Sequence, residues 1–361
     1  MAININIKNL LKERDLDYIF FFNMSGNNSN FLYASALSSG LFEGGILIIN
    51  KDNVELLTSI LEYEEAVESK SNLTKVTKIE KRSDYSLHLS RCARGKRIGL
   101  DLTSISYDYY KKIIPLLGAS KIVDISTDMA QMRLIKSSNE IIKMKKAVKI
   151  TKETFDAILP YIKEGISEKA LAARINYIMM ARGANTTAFP SIVSFGKNAA
   201  LPHHMPSNVK LNSNNFILMD IGARVDNYCA DMTRTIIFKP DKKTTKYMRM
   251  SQMINIVKTA QSEAFKYIIS GESAQKPHIV AQSIIDSAFN GRYKGTFIHS
   301  LGHSIGIDVH DSSNIGLSLG VKDKLSSGMV FSDEPGIYIN NFGGVRFEDD
   351  VLITKNGPEF L

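Results

Sequence analysis

Apolar and polar residues follow two different periods along this chain, and the change of period divides it into two parts. In the first 126 residues, short apolar runs such as YIFFF (18–22) alternate with segments whose apolar residues recur at helical spacing, such as 104–117. The apolar runs 45–50 and 54–61 flank turn residues and predict a β-hairpin. Strands that alternate with helices in this way predict a compact α/β domain.

Beyond residue 126 the helical patterns become longer and are separated by pairs of antiparallel strands. The stretch 128–157 has a helical pattern that is interrupted at Ser137, a favourable N-cap residue. Further helices are predicted over 167–183, 243–270 and 274–290. Long helices combined with hairpins are typical of an α+β domain whose helices cover one face of a curved sheet. We therefore predict a smaller α/β domain over 1–126 and an α+β domain over 127–361.

Four carboxylates in the second domain form two pairs, each centred on a predicted hairpin turn at 225–226 or at Asn341. The pairs are Asp220 with Asp231 and Glu334 with Glu348. Residues equidistant from a hairpin turn lie opposite each other, with Cβ atoms about 4.5–5.5 Å apart. Because the flanking strands are apolar and predicted to be buried, the four charges need compensation, and two cations held between the hairpins would supply it. The two hairpins also suggest a duplicated half-domain.

Histidines are concentrated near these hairpins. Five of the seven lie in two short motifs, AALPHHM (199–205) and FIHSLGHSIGIDVHD (297–311): His203, His204, His299, His303 and His310. His278 lies alone on a predicted helix, and we interpret it as structural or surface. Carboxylates and imidazoles without a thiolate suit Mn²⁺, Co²⁺, Fe²⁺ or Zn²⁺. Two such ions sharing a bridging ligand generate a hydroxide near neutral pH, which indicates hydrolytic chemistry.

Composition excludes several other classes of protein. The net charge is +8, but the lysines at 143–152 and 239–249 lie among apolar residues at helical spacing and indicate solvated helix faces, not a nucleic-acid surface. No apolar run reaches the roughly 18 residues of a membrane span, and the N-terminus lacks a secretory signal pattern. The two distant cysteines fit a reducing cytosol, so we predict a cytoplasmic protein. Cys229 is interpreted as a small buried apolar residue.

The order of these motifs resembles that of the pita-bread metallopeptidases, and most closely their proline-specific branch, prolidase and aminopeptidase P. The resemblance is carried by D-x10-D at 220–231, by the histidine run with Gly302 and Gly306, and by E-P-G and R-x-E after it. It spans 189–354. It implies a C-terminal pita-bread domain with two pseudo-two-fold halves, preceded by a non-catalytic α/β domain. Relatives in this family are commonly homodimers, so a homodimer is expected.

The resemblance also implies five metal ligands. Asp220 would chelate one metal through both oxygens. Asp231 and Glu348 would bridge two metals, and His303 and Glu334 would complete the other site. Glu334 is also the expected general base. Mn²⁺ or Co²⁺ are the expected ions, and Zn²⁺ or Fe²⁺ also fit the ligand set.

Four further residues are expected to contact the substrate. His203 and His310 would contact the scissile carbonyl or the tetrahedral intermediate, and His299 would line the pocket on the proline side. Arg346 shares a strand face with the second glutamate of the pair, so it could orient a ligand carboxylate or bind a substrate carboxylate. A structural ion pair with an acidic residue at 349–350 is the alternative for this arginine. His204 is expected to point away from the site.

Two residues depart from the family pattern. Ser304 stands where the family usually has glycine, and Asp333 precedes Glu334 where an apolar residue is common. Strand alternation points Asp333 to the opposite face. Gly302–Gly306 also fits the G-x-S-x-G nucleophile elbow of serine hydrolases, but that motif requires a helix after it, and IGIDVHD has a strand pattern instead.

The resemblance thus implies a dinuclear-metal peptidase that cleaves the imide bond before a proline in second position. The compact chain favours Xaa-Pro dipeptides, as in prolidase, whereas aminopeptidase P acts on longer peptides and shares every motif. A pita-bread protein that binds peptides without catalysis and a creatinase-like enzyme acting on another small amide fit less well, because all five ligands are present. A methionine aminopeptidase would not normally carry the N-terminal domain.

Overall fold

The computed structural model describes residues 5–24, 26, 28–69, 71–118, 121–311 and 315–361. The chain forms two compact units, Met1–Arg133 and Leu134–Leu361. The predicted boundary between residues 126 and 127 falls at the beginning of a helix, Ser126–Leu134, which the first unit contains up to Arg133.

The first unit is built on a six-stranded mixed sheet with the order β4-β3-β2-β1-β5-β6. Its strands are β1 (Tyr18–Asn23), β2 (Gly45–Ile49), β3 (Val54–Ser59), β4 (Lys75–Ile79), β5 (Arg97–Leu100) and β6 (Lys121–Asp124). Its helices are α1 (Ile5–Glu13), α2 (Ser29–Ser35), α3 (Tyr63–Glu68), α4 (Arg82–Ala93), α5 (Tyr107–Ile113) and α6 (Ser126–Leu134). The predicted hairpin is β2–β3, with Ile49 opposite Val54. The α/β prediction is confirmed.

The described part of the second unit contains four long helices and short antiparallel sheets. The helices are α7 (Ser138–Ile158), α8 (Glu168–Ala181), α9 (Thr245–Phe265) and α10 (Gln275–Gly291). The strands are β7 (Thr186–Thr187), β8 (Ile192–Phe195), β9 (Asn215–Ile221), β10 (Ala223–Val225), β11 (Tyr228–Cys229), β12 (Met232–Phe238), β13 (Gly302–His303), β14 (Gly316–Leu317), β15 (Val330–Asp333), β16 (Gly336–Ile339), β17 (Gly343–Arg346), β18 (Asp349–Thr354) and β19 (Gly357–Phe360). Ser137 caps α7 in a capping box with Glu140, as predicted.

Helices α9 and α10 cover one face of these sheets and form the core with them. Val257 on α9 and Ile285 on α10 belong to the same buried cluster as Phe331 and Val345 on strands β15 and β17. Side chains alternate between the faces of a strand, so the neighbours of these core residues point the other way. Arg346, next to Val345, lines a cavity on that opposite face. None of the helices in the described part of the chain has both the length and the apolar character that a membrane-spanning helix requires.

The hairpin of the glutamate pair has the predicted register. Gly336 pairs with Arg346 across β16–β17, and Asp333 pairs with Asp349 across β15–β18. Both pairs are equidistant from Asn341, so Glu334 and Glu348 are opposite each other. Asn341 has φ 60°, the left-handed conformation that asparagine tolerates in a tight turn.

The hairpin of the aspartate pair has a register different from the predicted one. Asp220 pairs with Thr233, and the turn lies at Asp226–Asn227 instead of 225–226. Both turn residues have positive φ, 48° and 71°, as a two-residue type I′ turn requires. Asp231 therefore lies diagonally across from Asp220, and the expectation that they face each other directly was wrong.

Candidate active site

All nine predicted site residues line one cavity of about 700 Å³ in the second unit. They are Asp220, Asp231, Glu334, Glu348, His203, His299, His303, His310 and Arg346. Apolar side chains line the same cavity, among them Phe189, Pro190, Ile192 and Pro202. The cavity thus combines a strongly acidic cluster with a surface suited to an apolar ring.

The acidic cluster has room for cations. Asp231, His303 and Glu348 each present one atom that could bind a metal, and these three atoms lie within 4.8 Å of one another. The His303 Nε2 atom lies 3.7 Å from Asp231 Oδ2 and 3.5 Å from Glu334 Oε1. The buried Oδ1 atoms of Asp220 and Asp231 have no hydrogen-bond partner within the described structure. An orphaned buried carboxylate oxygen is costly, so a donor set with two of them fits divalent metal ions.

The electrostatics of the cluster lead to the same conclusion. Burial and the neighbouring carboxylate of Glu348 raise the pKa of Asp231 well above its usual value. Burial raises the pKa of Glu334 to about 8, although the nearby Arg346 opposes this. Burial also lowers the pKa of His303 to about 4, so its imidazole is neutral and free to bind a metal. Without cations, the raised pKa values of Asp231 and Glu334 favour the protonated forms of these two carboxyl groups.

Arg346 is buried at the base of the cluster and bonds to Asp220. Its Nη2 atom donates to Asp220 Oδ2 at 2.5 Å, its Nε atom donates to Thr233 Oγ1 at 2.9 Å, and its Nη1 atom donates to the Tyr338 hydroxyl at 2.9 Å. Within the described residues, Arg346 forms its ion pairs with Asp220, Glu334 and Glu348 and not with an acidic residue at 349–350. Asp349 is bound by Arg234 at 2.6 Å instead. Arg346 is therefore bonded to a cluster carboxylate, as the first of its two expected roles requires.

Tyr338 and Thr233 bond to residues that line the cavity, and no sequence pattern predicts these contacts. The Tyr338 oxygen accepts a hydrogen bond from Arg346, so its O–H group is available to donate to His299 Nε2, 2.8 Å away. His299 Nδ1, 2.8 Å from the Ser300 carbonyl oxygen, then carries the proton. This assignment of the tautomer follows from the hydrogen-bond directions. With both nitrogens engaged, His299 offers the cavity its ring surface. Thr233 donates to Glu348 Oε2 at 2.6 Å.

The remaining histidines separate into two groups. His203 and His310 line the cavity and are solvent-exposed, so an incoming ligand can reach them. His204 does not line the cavity and lies 2.8 Å from Glu168, as expected of a residue that points away. His278 is buried, and its Nδ1 atom accepts a hydrogen bond from the Leu301 amide at 3.0 Å, which confirms a structural role.

The serine-hydrolase alternative is wrong. Ser304 is fully buried and bridges to Phe331, and residues 305–311 form no helix. A nucleophile elbow requires an exposed serine between a strand and a helix. Cys229 is also fully buried, its thiol donates to the Ile307 carbonyl at 3.2 Å, and burial raises its pKa to about 12, so it has the predicted packing role.

Gly302→Ala is expected to lower the free energy of unfolding by about 3 kcal/mol, the upper end of the cost of overpacking. A Cβ atom at Gly302 would lie 1.9 Å from the Ser332 carbonyl oxygen, so β13 and His303 would have to move away from β15. Urea denaturation monitored by circular dichroism measures the change. Gly316→Ala on the paired strand β14 is the control, since its Cβ would lie 3.2 Å from the nearest atom. Equal costs for both substitutions would contradict the prediction.

Comparison with known proteins identifies the class. Residues 142–355 match the model of metallopeptidase family M24, and residues 6–135 match that of the creatinase/prolidase N-terminal domain. The chain belongs to metallopeptidase family M24. An Xaa-Pro dipeptidase of Pyrococcus horikoshii is 33% identical over 335 residues, which cover 92% of this chain and 90% of that protein.

Solved structures extend the similarity to the whole fold. The X-Pro aminopeptidase of Thermotoga maritima superimposes with a TM-score of 0.86 at 28% identity, with 96% of both chains covered. The prolidase of Pyrococcus furiosus gives a TM-score of 0.83 at 31% identity, with 98% of both chains covered. The pita-bread fold with its preceding creatinase-type domain, predicted from the motifs, is thereby confirmed.

Proposed function

We propose that this protein is a metal-dependent peptidase that hydrolyses the bond between an N-terminal residue and a proline in second position, with Xaa-Pro dipeptides favoured. The observation that carries the proposal is the convergence of four carboxylates and His303 beside an apolar wall in one cavity. The similarity to an Xaa-Pro dipeptidase and to a prolidase supports the proline preference. Proline lacks an amide N–H and carries a rigid ring, so its recognition depends on shape and apolar contact.

The five predicted ligands would hold two divalent ions. Asp220 would bind one ion, Asp231 and Glu348 both, and His303 and Glu334 the other. When bound, the ions supply a hydroxide near neutral pH and polarise the scissile carbonyl. Mn²⁺ or Co²⁺ are the ions proposed, because carboxylate-rich sites with one imidazole suit them, and Zn²⁺ or Fe²⁺ are tolerated by the same donors. Arg346 would fix the orientation of the Asp220 carboxylate by donating a hydrogen bond to its Oδ2 atom.

The protein's own side chains would move the proton and stabilise the reacting oxygen. Glu334 would accept the proton of the attacking water and later pass it to the proline nitrogen that leaves. His203 and His310 would donate hydrogen bonds to the oxygen on which negative charge develops. Burial and the nearby His203 lower the pKa of His310, so its imidazole is neutral and donates through one N–H. The ring of His299, held by Tyr338, would contact the proline.

Aminopeptidase activity on longer peptides is the second candidate, supported by the similarity to the X-Pro aminopeptidase structure. The two candidates differ in whether the proline carboxylate must be free. A homodimer and a cytoplasmic location, expected from the sequence, complete the proposal. Sedimentation velocity at several protein concentrations measures the oligomeric state.

Chelation followed by reconstitution tests the proposed function. We expect the protein treated with EDTA to lose cleavage of Ala-Pro and Gly-Pro and to regain it with Mn²⁺ or Co²⁺ but not with Ca²⁺. Ala-Pro-Ala, Ala-Ala and creatine in the same assay distinguish the substrate classes. Faster cleavage of Ala-Pro than of Ala-Pro-Ala supports the dipeptidase, and the reverse order supports the aminopeptidase. Activity that survives complete metal removal would contradict the mechanism.

A further inference from the structure

The carboxylate of Glu168 is fully buried, lies outside the cavity, and receives hydrogen bonds at both oxygens from a single segment of the chain. Glu168, the first residue of α8, accepts hydrogen bonds from the segment 195–207, which carries His203. Its Oε1 atom accepts from the Phe195 amide at 2.7 Å and from Asn198 Nδ2 at 2.9 Å. Its Oε2 atom accepts from the Ser207 amide at 2.9 Å and from the Ser207 hydroxyl at 2.6 Å.

The fifth contact of Glu168 joins it to the residue next to His203. His204 Nε2 lies 2.8 Å from Glu168 Oε2. The two histidines share a tight turn in which the His204 amide donates to the Leu201 carbonyl at 3.1 Å, with Pro202 at its favoured second position. Because His204 is held by Glu168 behind the turn, His203 projects from the other side, where it lines the cavity.

The opposite side of the segment is fixed by backbone packing. A Cβ atom on Gly344 of β17 would lie 2.0 Å from the Ala199 carbonyl oxygen, so the segment and the strand that carries Arg346 are in direct backbone contact. The segment is therefore held between β17 and one carboxylate. Burial raises the pKa of Glu168, but the hydrogen bonds from Ser207, His204 and Phe195 outweigh this and bring the pKa below its usual value. The carboxylate is thus charged at neutral pH.

We propose that Glu168 is a positioning residue that sets the orientation of His203 by holding both ends of the segment 195–207 and its histidine turn. The inference rests on the proposed function, through the role of His203 toward the substrate oxygen. Glu168 does not line the cavity, so it acts through the segment and touches no reacting atom. Charged hydrogen bonds are about twice as strong as neutral ones, and the α8 N-terminus favours a negative charge at this position.

Glu168→Gln tests the proposal with little change in shape. A Gln side chain has one acceptor oxygen, so either the Phe195 amide or the Ser207 amide is left without an acceptor. We expect kcat for Ala-Pro to fall about 10²-fold, the typical effect of a misplacement of about 1 Å, with KM within about threefold. In a His203→Ala background, the same substitution is expected to change kcat less than about twofold, because the side chain it positions is gone. An undiminished effect in that background would overturn the proposal.

Two further measurements separate this proposal from the proposed function. Hydrogen exchange is expected to show faster exchange of the Phe195 or Ser207 amide in Glu168→Gln, whatever the substrate of the enzyme is. Unchanged exchange of both amides would overturn the proposed positioning role of Glu168. Absence of Xaa-Pro cleavage by the metal-loaded wild type would overturn only the proposed function. If Glu168→Gln does not fold, His204→Ala is the second variant, because it removes one of the donors to Glu168. It is expected to lower kcat by less than the loss expected for Glu168→Gln. An unchanged kcat in His204→Ala would overturn the proposal.

Glu164→Gln is the matched control. Glu164 precedes the same helix, but its carboxylate is exposed. It accepts hydrogen bonds from Lys239 at 2.9 Å and from Ser213 at 3.1 Å, and neither partner belongs to the histidine turn. We expect its kcat, its KM and the exchange of the Phe195 and Ser207 amides to equal those of the wild type. A comparable loss in both variants would mean that any charge change near this helix has the effect, which would contradict a specific role for Glu168.

Discussion

Asp231→Asn is expected to lower kcat/KM for Ala-Pro by at least about 10³-fold, equivalent to roughly 4 kcal/mol of transition-state stabilisation. Asp231, His303 and Glu348 each present one possible ligand atom, and these atoms lie within 4.8 Å of one another. The buried Oδ1 atom of Asp231 has no hydrogen-bond partner in the described structure. An amide carries no charge and offers one oxygen, so it cannot bridge two cations. We expect the metal content, measured by atomic emission, to fall from two ions per chain to one or none.

The fold of this variant is expected to survive. The Asp231 amide, which donates to Asp350 Oδ2 at 3.0 Å, is unchanged by the substitution. Removing one buried carboxyl that is crowded by Glu348 and Asp220 relieves repulsion, so the metal-free variant should be at least as stable as the metal-free wild type. Asp226→Asn, the same substitution at the partly exposed turn of the same hairpin, is the control and should keep full activity. Full activity of Asp231→Asn would contradict the two-metal proposal.

The glutamate hairpin shows what equidistance from a turn can predict. Asn341 is the single central residue, and the paired segments β16–β17 and β15–β18 have the same register on either side of the unpaired residues 334–335 and 347–348. The opposition of Glu334 and Glu348 therefore followed from counting alone. Strand alternation also placed Arg346 with Glu348 on the cavity face, and both line it.

The aspartate hairpin shows where counting fails. Equal spacing from 225–226 predicts that Asp220 and Asp231 pair, but the pairing depends on which residues adopt the turn. Asp226 and Asn227 both tolerate positive φ, and this turn signal moves the centre of the turn by one residue, which shifts the partner of Asp220 by two residues, from Asp231 to Thr233. The correct register puts Thr233 opposite Asp220, where its hydroxyl binds Glu348.

The supporting residues could not be predicted, because they act through tertiary contacts. Tyr338 carries no spacing signal, and its hydroxyl reaches His299 and Arg346 only once β16 and β17 pair. Glu168 looks like an ordinary acidic residue in the first turn of a helix, and its five hydrogen bonds come from a segment about 30 residues away. The order of the motifs predicts the residues that carry the chemistry. The residues that orient them can be identified only from the tertiary packing.

The metal-free protein is expected to lose stability as the pH rises from about 5 to about 8. Burial and the crowding of carboxyl groups raise the pKa values of Asp231, Glu348 and Glu334, the last to about 8 from a usual value of 4.5. Between these values the folded state holds a proton that the unfolded state has released, so the free energy of unfolding falls with rising pH. Each pKa unit corresponds to about 1.4 kcal/mol, so a loss of several kcal/mol is expected.

Saturating Mn²⁺ is expected to reverse this trend, because bound cations replace the protons and bind more tightly as the carboxyl groups ionise. Urea denaturation at pH 5, 6.5 and 8, with and without Mn²⁺, measures both effects. Asp333→Asn is the control: this fully buried carboxyl faces away from the cavity, so the variant should keep the stabilisation by Mn²⁺ and lose only part of the pH dependence. A metal-free protein whose stability stays constant from pH 5 to 8 would mean that the four carboxylates of the cavity are not held close together, and the metal site proposed from their geometry would fail with them.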